Sequence, residues 1–207
     1  MNAQEIRQAI DDGVIPLDLR TPRPFAERHL PGAVNLQFNR ADLADRAEML
    51  LPPGHRYVVH AEPEPIARIA AKILADAGFE VLGHLEGGLA AWEGAGLPTE
   101  SLEVLDVDEL HRRTDEFQVV DVREGFEFRH SRIPGAASAP WTETWEAKDG
   151  LSRDRPLAIV CGDEVRSAAA ASILKRTGFR PALVLGGMID WLERGYPIEG
   201  KKAPVRG

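Results

Sequence analysis

With a single cysteine in 207 residues, the chain has no internal partner for a disulfide. Its stability must therefore come from packed cores, and the expected setting is a reducing one, the cytoplasm. Positive charge is also in short supply, with 25 basic against 33 acidic residues, a net charge of -8 and a pI near 5.3. That balance argues against a nucleic-acid footprint or a polybasic membrane patch. No window approaches about 18 uninterrupted apolar residues, and the opening MNAQEIRQAIDDG lacks an apolar leader core, so neither a membrane span nor a secretory signal is expected. At 43% hydrophobic and 28% charged, with a mean hydropathy of -0.25, the composition is that of a soluble globular protein.

The chain also says one thing twice. Residues 17–35, LDLRTPRPFAERHLPGAVN, are echoed by residues 120–138, VDVREGFEFRHSRIPGAAS. Asp18, Arg20, Phe25, Pro31 and Gly32 return as Asp121, Arg123, Phe128, Pro134 and Gly135 at a constant offset of 103. Later, GGLAAWEGAGLP (87–98) matches GGMIDWLERGYP (186–197), with Gly87, Trp92 and Pro98 returning as Gly186, Trp191 and Pro197. A period near 100 residues is the size of a small domain and too long for a solenoid repeat. The expected organisation is two domains, 1–100 and 101–207, with the seam at 98–101.

Each half shows the same rhythm. A helix (Ala3–Asp11; Asp106–Arg113) is followed by an apolar strand (Val14–Leu19; Phe117–Val122) and a Pro-Gly loop. A second strand (Tyr57–His60; Leu157–Val160), an Ala-rich helix (Ile66–Ala77; Ser167–Thr177), a third strand (Val81–Leu85; Ala182–Leu185) and a Trp-bearing helix complete it. Strands alternating with helices imply an α/β fold, each domain a mainly parallel sheet with helices on both faces. Trp92 and Trp191 are expected in the cores, Asp121 and Arg123 as an ion pair at a strand end, and His60 as a packing or capping residue.

The feature that differs in kind follows the second strand of the second half: Cys161-Gly162-Asp163-Glu164-Val165-Arg166, then SAAAASILKRTG. Open α/β sheets place ligands at the carboxyl ends of their strands. A loop feeding a helix N-terminus can turn backbone N–H groups inward, where the helix dipole favours an anion. That setting predicts a low-pKa thiolate at Cys161, with Arg166 as a fixed positive charge and Ser167 as the helix cap. Asp163 and Glu164 place two carboxylates on the rim and disfavour a dianion by Coulomb repulsion. Trp141, after the Pro-Gly and Ala-Pro turns, is placed as a candidate substrate contact.

These residues together resemble a rhodanese-type sulfurtransferase in tandem-domain form: the paired DVRE-type strand, the aromatic and Pro-Gly after it, the Cys-x-x-x-x-Arg loop, and the Gly-Gly with Trp. The resemblance covers essentially the whole chain, twice. It implies transfer of sulfane sulfur, from thiosulfate or a related anionic or persulfide donor, through a Cys161 persulfide to cyanide or another thiol, including a protein thiol. It assigns Cys161 as nucleophile and the backbone N–H groups of Gly162 through Arg166 as its cradle, with Trp141, Asp121 and Arg123 in support. No cofactor, metal, nucleic acid or membrane is implied.

In the first half the nucleophile position is Ala61, continuing Glu62-Pro63-Glu64-Pro65-Ile66-Ala67-Arg68. Alanine cannot attack, the prolines delete N–H donors, and the glutamates repel an anion. A catalytically silent N-terminal domain is therefore expected, and charge divides the same way: residues 1–100 carry 9 basic and 15 acidic side chains, residues 101–207 carry 16 and 18. Two rival functions remain open on these residues: a cysteine-dependent phosphatase or arsenate reductase, whose loop is expected to be longer, and a non-catalytic interaction module.

Overall fold

The computed structural model describes residues 1–146 and 150–200. The chain divides into two compact units, Met1–Leu102 and Glu103–Gly207, two residues beyond the expected boundary between residues 100 and 101. The expected end of the second domain, residue 207, lies outside the described residues.

Unit 1 runs α1 (Ala3–Asp11), β1 (Ile15–Asp18), α2 (Pro22–Glu27), β2 (Val34–Asn35), α3 (Leu43–Leu50), β3 (Arg56–His60), α4 (Glu64–Asp76), β4 (Glu80–His84) and α5 (Gly88–Gly94). Its four strands pair in the order β2-β1-β3-β4, all parallel. Unit 2 runs β5 (Glu103–Leu105), α6 (Val107–Arg112), a 3-10 turn (Thr114–Glu116), β6 (Gln118–Asp121), α7 (Gly125–His130), β7 (Ala137–Ser138), a second 3-10 turn (Trp141–Glu143), β8 (Leu157–Val160), α8 (Val165–Arg176), β9 (Pro181–Val184) and α9 (Gly187–Glu193). Its strands pair in the order β5-β9-β8-β6-β7, again all parallel.

Every residue of β1, β8 and β9 is buried, as a parallel sheet covered on both faces requires. The α/β expectation therefore holds in both units. Strand β5 was not anticipated: three residues, two of them exposed, carry no apolar run. The short β2 and β7, two residues each, lie within the Pro-Gly loops and are too short to show an apolar run.

The repeat has a physical core as well as a sequence one. Trp92 and Trp191 are buried, and each indole Nε1 donates to a proline carbonyl six residues on, Pro98 at 2.8 Å and Pro197 at 2.9 Å. Helix α8 is Ala-rich and buried on nearly every residue from Ser167 to Leu174, so it packs closely against the sheet and brings its N-terminus to the end of β8.

Candidate functional site

Strand β8 lies at the centre of the unit 2 sheet, and its carboxyl end delivers Cys161 directly into the turn that starts α8. The thiol is fully buried. Its Sγ donates to the Asp163 carbonyl oxygen at 2.9 Å and lies 3.4 Å from Ser167 Oγ, while the Ser167 N–H donates to Sγ at 3.3 Å. Ser167 Oγ in turn donates to the Glu164 carbonyl at 3.1 Å.

The loop is held from above by α9. The Met188 N–H donates to the Cys161 carbonyl at 2.8 Å, and the Ile189 N–H to the Gly162 carbonyl at 3.1 Å. Gly187, at φ +52°, comes so near that a Cβ there would lie 2.4 Å from the Cys161 oxygen. Only glycine fits both the backbone angle and the space. This is the physical role of the second glycine in the repeated Gly-Gly.

Several expectations need correction. The Gly162–Arg166 cradle is not formed around the sulfur: the backbone donor that reaches Sγ belongs to Ser167, and the Val165 N–H is taken by Asp163 Oδ1 at 3.0 Å. Nor is the thiol pKa depressed. Burial pushes it up to about 11, outweighing the hydrogen bonds from Ser167 and the charge of Arg166. Ser167 is not the helix cap, because α8 begins two residues earlier at Val165 and Glu164 occupies the cap position. It is instead the side chain and N–H that face the sulfur.

Arg166 is not free at the rim either. Its Nη1 and Nη2 donate to Glu127 Oε2 and Oε1 at 2.7 and 3.0 Å, and this pairing holds the Glu127 carboxyl below its ordinary range. Glu127, on α7, did not stand out in the sequence because it sits among other charged residues in EGFEFRH. Of the two rim carboxylates, Asp163 turns inward, with Oδ1 3.6 Å from Sγ. Trp141 is buried on its 3-10 turn, its N–H tied to the Val122 carbonyl at 2.9 Å.

Asp121 and Arg123 form a buried pair. Arg123 Nε and Nη2 meet Asp121 Oδ1 and Oδ2 at 2.9 and 2.7 Å, and Nη2 also donates to the Ser131 carbonyl. Asp18 and Arg20 repeat this in unit 1, with Nη2 reaching the Arg28 carbonyl. The arrangement ties the end of a strand to the helix that follows it and leaves neither Asp121 nor Arg123 directed at the sulfur.

In unit 1, Ala61 follows β3 as Cys161 follows β8. Ile66 stands where Arg166 does, Ala67 where Ser167 does, and Pro24 where Glu127 does. Pro24 and Ile66 line a cavity of about 240 Å³ together with Leu19, Phe38, Arg20 and Glu62. His60 is fully buried with no hydrogen-bond partner on either ring nitrogen, and burial lowers its pKa. It therefore packs as a neutral ring.

Among the described residues, no group of three or more His, Cys, Asp or Glu is placed to hold a metal ion, and no helix is long and apolar enough to cross a membrane.

The profile of the rhodanese-like domain matches this chain twice, over residues 2–95 and 106–194. The chain belongs to the rhodanese-like family. An uncharacterized protein of Synechocystis is 35% identical over 96 residues, 46% of this chain and 51% of that protein, so the match spans about half of that relative. A sulfurtransferase of Allochromatium vinosum is 31% identical over 98 residues, covering 45% of this chain and 92% of that one. The thiosulfate sulfurtransferase GlpE of Shewanella oneidensis is 32% identical over 96 residues, 45% of this chain and 95% of that one. Among solved structures, a rhodanese-related protein from Thermoplasma volcanium is 33% identical, with a TM-score of 0.45, over 47% of this chain and 97% of that chain.

Proposed function

We propose that this rhodanese-like protein is a sulfurtransferase that carries sulfane sulfur as a persulfide on Cys161, in unit 2, while unit 1 is catalytically silent. One observation carries the reading: the chain's lone cysteine lies at the carboxyl end of the central strand, with the Ser167 N–H donating to its sulfur from the first turn of α8. Relatives named as sulfurtransferases align with domain-sized parts of the chain and support the same class.

The chemistry is a two-step exchange. The thiol proton, held toward the Asp163 carbonyl, passes first to water or hydroxide. The Cys161 thiolate attacks the outer sulfur of a donor such as thiosulfate. A new S–S bond forms, the donor S–S bond breaks, and sulfite departs with the bonding pair. Cyanide or an acceptor thiolate then attacks the terminal sulfur, Cys161 leaves as thiolate, and it takes a proton back from water to return to its starting state. The Ser167 N–H donates to Sγ, where negative charge develops in both half-reactions, and the Ser167 hydroxyl, which donates to the Glu164 carbonyl beside the protonated thiol, turns to the sulfur once the thiolate forms.

Ala61 offers no nucleophile in unit 1, and Ile66 and Ala67 remove the counterparts of Arg166 and Ser167. The test is intact mass after incubation with thiosulfate, beside Cys161→Ser, followed by a cyanide chase. A gain of one sulfur atom, absent from the variant and removed by cyanide, is expected. No gain with thiosulfate, mercaptopyruvate or a persulfide donor would overturn the reading.

A further inference from the structure

We propose that Glu127 is a specificity-determining residue that sets the charge class of the sulfur donor, disfavouring dianions such as thiosulfate relative to donors of lower negative charge. The inference rests on Cys161 being the sulfur-accepting residue.

The argument starts from Arg166. Both terminal nitrogens of its guanidinium face Glu127, at 2.7 and 3.0 Å, the fork-to-fork geometry that leaves a carboxylate and an arginine with little charge to offer elsewhere. The two side chains are only 27% and 23% exposed, so solvent screens the pair less than it would a pair on the rim. Arg166 Nη2 also lies 3.3 Å from where a Cβ would stand on Gly162, the residue after Cys161. The arginine is therefore beside the reactive loop, with its charge largely offset by Glu127.

The other charges near the sulfur do not replace it. Asp163 Oδ1, 3.6 Å from Sγ, adds a carboxylate. Arg123, whose charge also acts on Glu127, is already bound to Asp121 and the Ser131 carbonyl. An anion approaching Sγ thus meets one arginine and two carboxylates, and the net charge of these three side chains repels a dianion twice as strongly as a monoanion.

The internal repeat supplies an independent comparison. Where unit 2 has Glu127 and Arg166, unit 1 has Pro24 and Ile66, both lining one cavity. The two charges occur together beside the cysteine and are lost together beside the alanine. An ion pair needed only to brace the fold has no reason to follow the cysteine in this way, since unit 1 folds the same chain path without it.

The experiment compares two donors of like chemistry and different charge. Thiosulfate is a dianion and methanethiosulfonate a monoanion. Each gives its outer sulfur to a thiolate, releasing sulfite or methanesulfinate with the bonding pair. Single-turnover sulfur loading of the full chain is followed for the parent, Glu127→Gln and Glu127→Asp. Glu127→Gln is expected to raise the thiosulfate-to-methanethiosulfonate rate ratio by about tenfold, an effect that added salt diminishes. Glu127→Asp keeps the charge and is expected to hold the ratio near the parental value.

An unchanged ratio, or equal loss with both donors in Glu127→Gln, makes Glu127 a brace for Arg166 and overturns the proposal. Failure of the parent to load from either donor would instead count against Cys161 as sulfur acceptor. Thiosulfate binding to Cys161→Ser, with and without Glu127→Gln, measured by calorimetry, then decides the charge claim alone. Binding about tenfold tighter with the glutamine is expected, and equal binding overturns it.

Discussion

The Ser167 N–H and Cys161 Sγ are 3.3 Å apart, and the Ser167 hydroxyl lies 3.4 Å from the same sulfur. One residue thus supplies two contacts to the thiol, and both lower its pKa against the larger opposing effect of burial. Ser167→Ala removes the hydroxyl and leaves the N–H. A neutral hydrogen bond is worth about 1 kcal/mol, so the thiolate fraction at a fixed pH is expected to fall roughly fivefold. Rates of iodoacetamide alkylation at Cys161 across pH 7 to 10 check this. Equal rates in parent and variant would remove the Ser167 hydroxyl from the mechanism.

The raised thiol pKa also dictates a pH profile. With Cys161 pushed up to about 11, sulfur loading limited by deprotonation rises about tenfold per pH unit through the neutral range, with no plateau below roughly pH 10. The stability effect has a definite sign. The folded chain holds the thiol proton between its ordinary pKa of 9.0 and about 11, whereas the unfolded chain releases it, so stability falls as pH rises through that window, by about 1.4 kcal/mol per unit at most. Below pH 9 the contribution is constant. Urea melts of the parent and Cys161→Ala at pH 8 and pH 10.5 test it, and an equal loss in both chains would exclude the thiol as its source.

Much of the fold was legible in the sequence, because the strands flanking the site are continuous apolar runs and the pattern is written twice. LAIV at 157–160 and its Ala-rich sequel place Cys161 at a strand end beside a helix start without further help. What could not be read was the balance of forces at the sulfur. A helix N-terminus and an arginine argue for a low pKa, but their effect depends on burial and on where the arginine points. Full burial of Cys161, with the Asp163 carboxylate adding to it, reverses the sign, although Arg166, paired with Glu127 39 residues away in sequence, still favours the thiolate. Ser167 was read as a cap because α8 was expected to begin there, when it begins at Val165. A two-residue shift in a helix start takes the side chain from the cap position to the sulfur.

The paired aspartate and arginine of each unit invite a comparison within one molecule. Asp121 and Arg123 are buried, as are Asp18 and Arg20. Removing one partner leaves an uncompensated buried charge, which costs about 3–5 kcal/mol. Arg123→Ala is expected to lower the unfolding transition of unit 2 and leave that of unit 1 in place, with Arg20→Ala doing the reverse. Replacing both members in unit 2, Asp121→Asn with Arg123→Met, is expected to cost less than Arg123→Ala alone. Calorimetric scans of the three variants decide it, and a double variant less stable than the single one would show that the pair itself is net stabilising.

Restoring a cysteine to unit 1 tests whether the nucleophile is sufficient. Ala61→Cys places a thiol after β3, but Ile66 and Ala67 supply neither the guanidinium nor the hydroxyl found in unit 2, and Glu62 follows directly. In a Cys161→Ser background the new thiol is expected to load sulfur from thiosulfate no faster than a free thiol in solution. Loading at the parental rate would mean that strand placement and a backbone N–H alone activate the sulfur, and the role given to the Ser167 hydroxyl would fall.

Gly187 offers the sharpest test of how the loop is held. At φ +52° its missing Cβ would lie 2.4 Å from the Cys161 carbonyl oxygen and 2.7 Å from that of Asp163. Gly195, at φ +69°, has a similarly left-handed backbone but open space where its Cβ would stand. Both substitutions to alanine share the backbone penalty of about 1–2 kcal/mol. Gly187→Ala alone adds a clash with the carbonyls that accept from the Met188 and Ile189 N–H groups. Its extra loss of stability over Gly195→Ala, expected to be at least about 2 kcal/mol, measures the steric demand of the loop on α9. Because the displaced backbone carries Cys161, Gly187→Ala should also lower sulfur loading while Gly195→Ala leaves it unchanged. Equal stability and equal loading in the two variants would show that the loop yields to α9 at no cost, and that its shape is set by β8 and α8 alone.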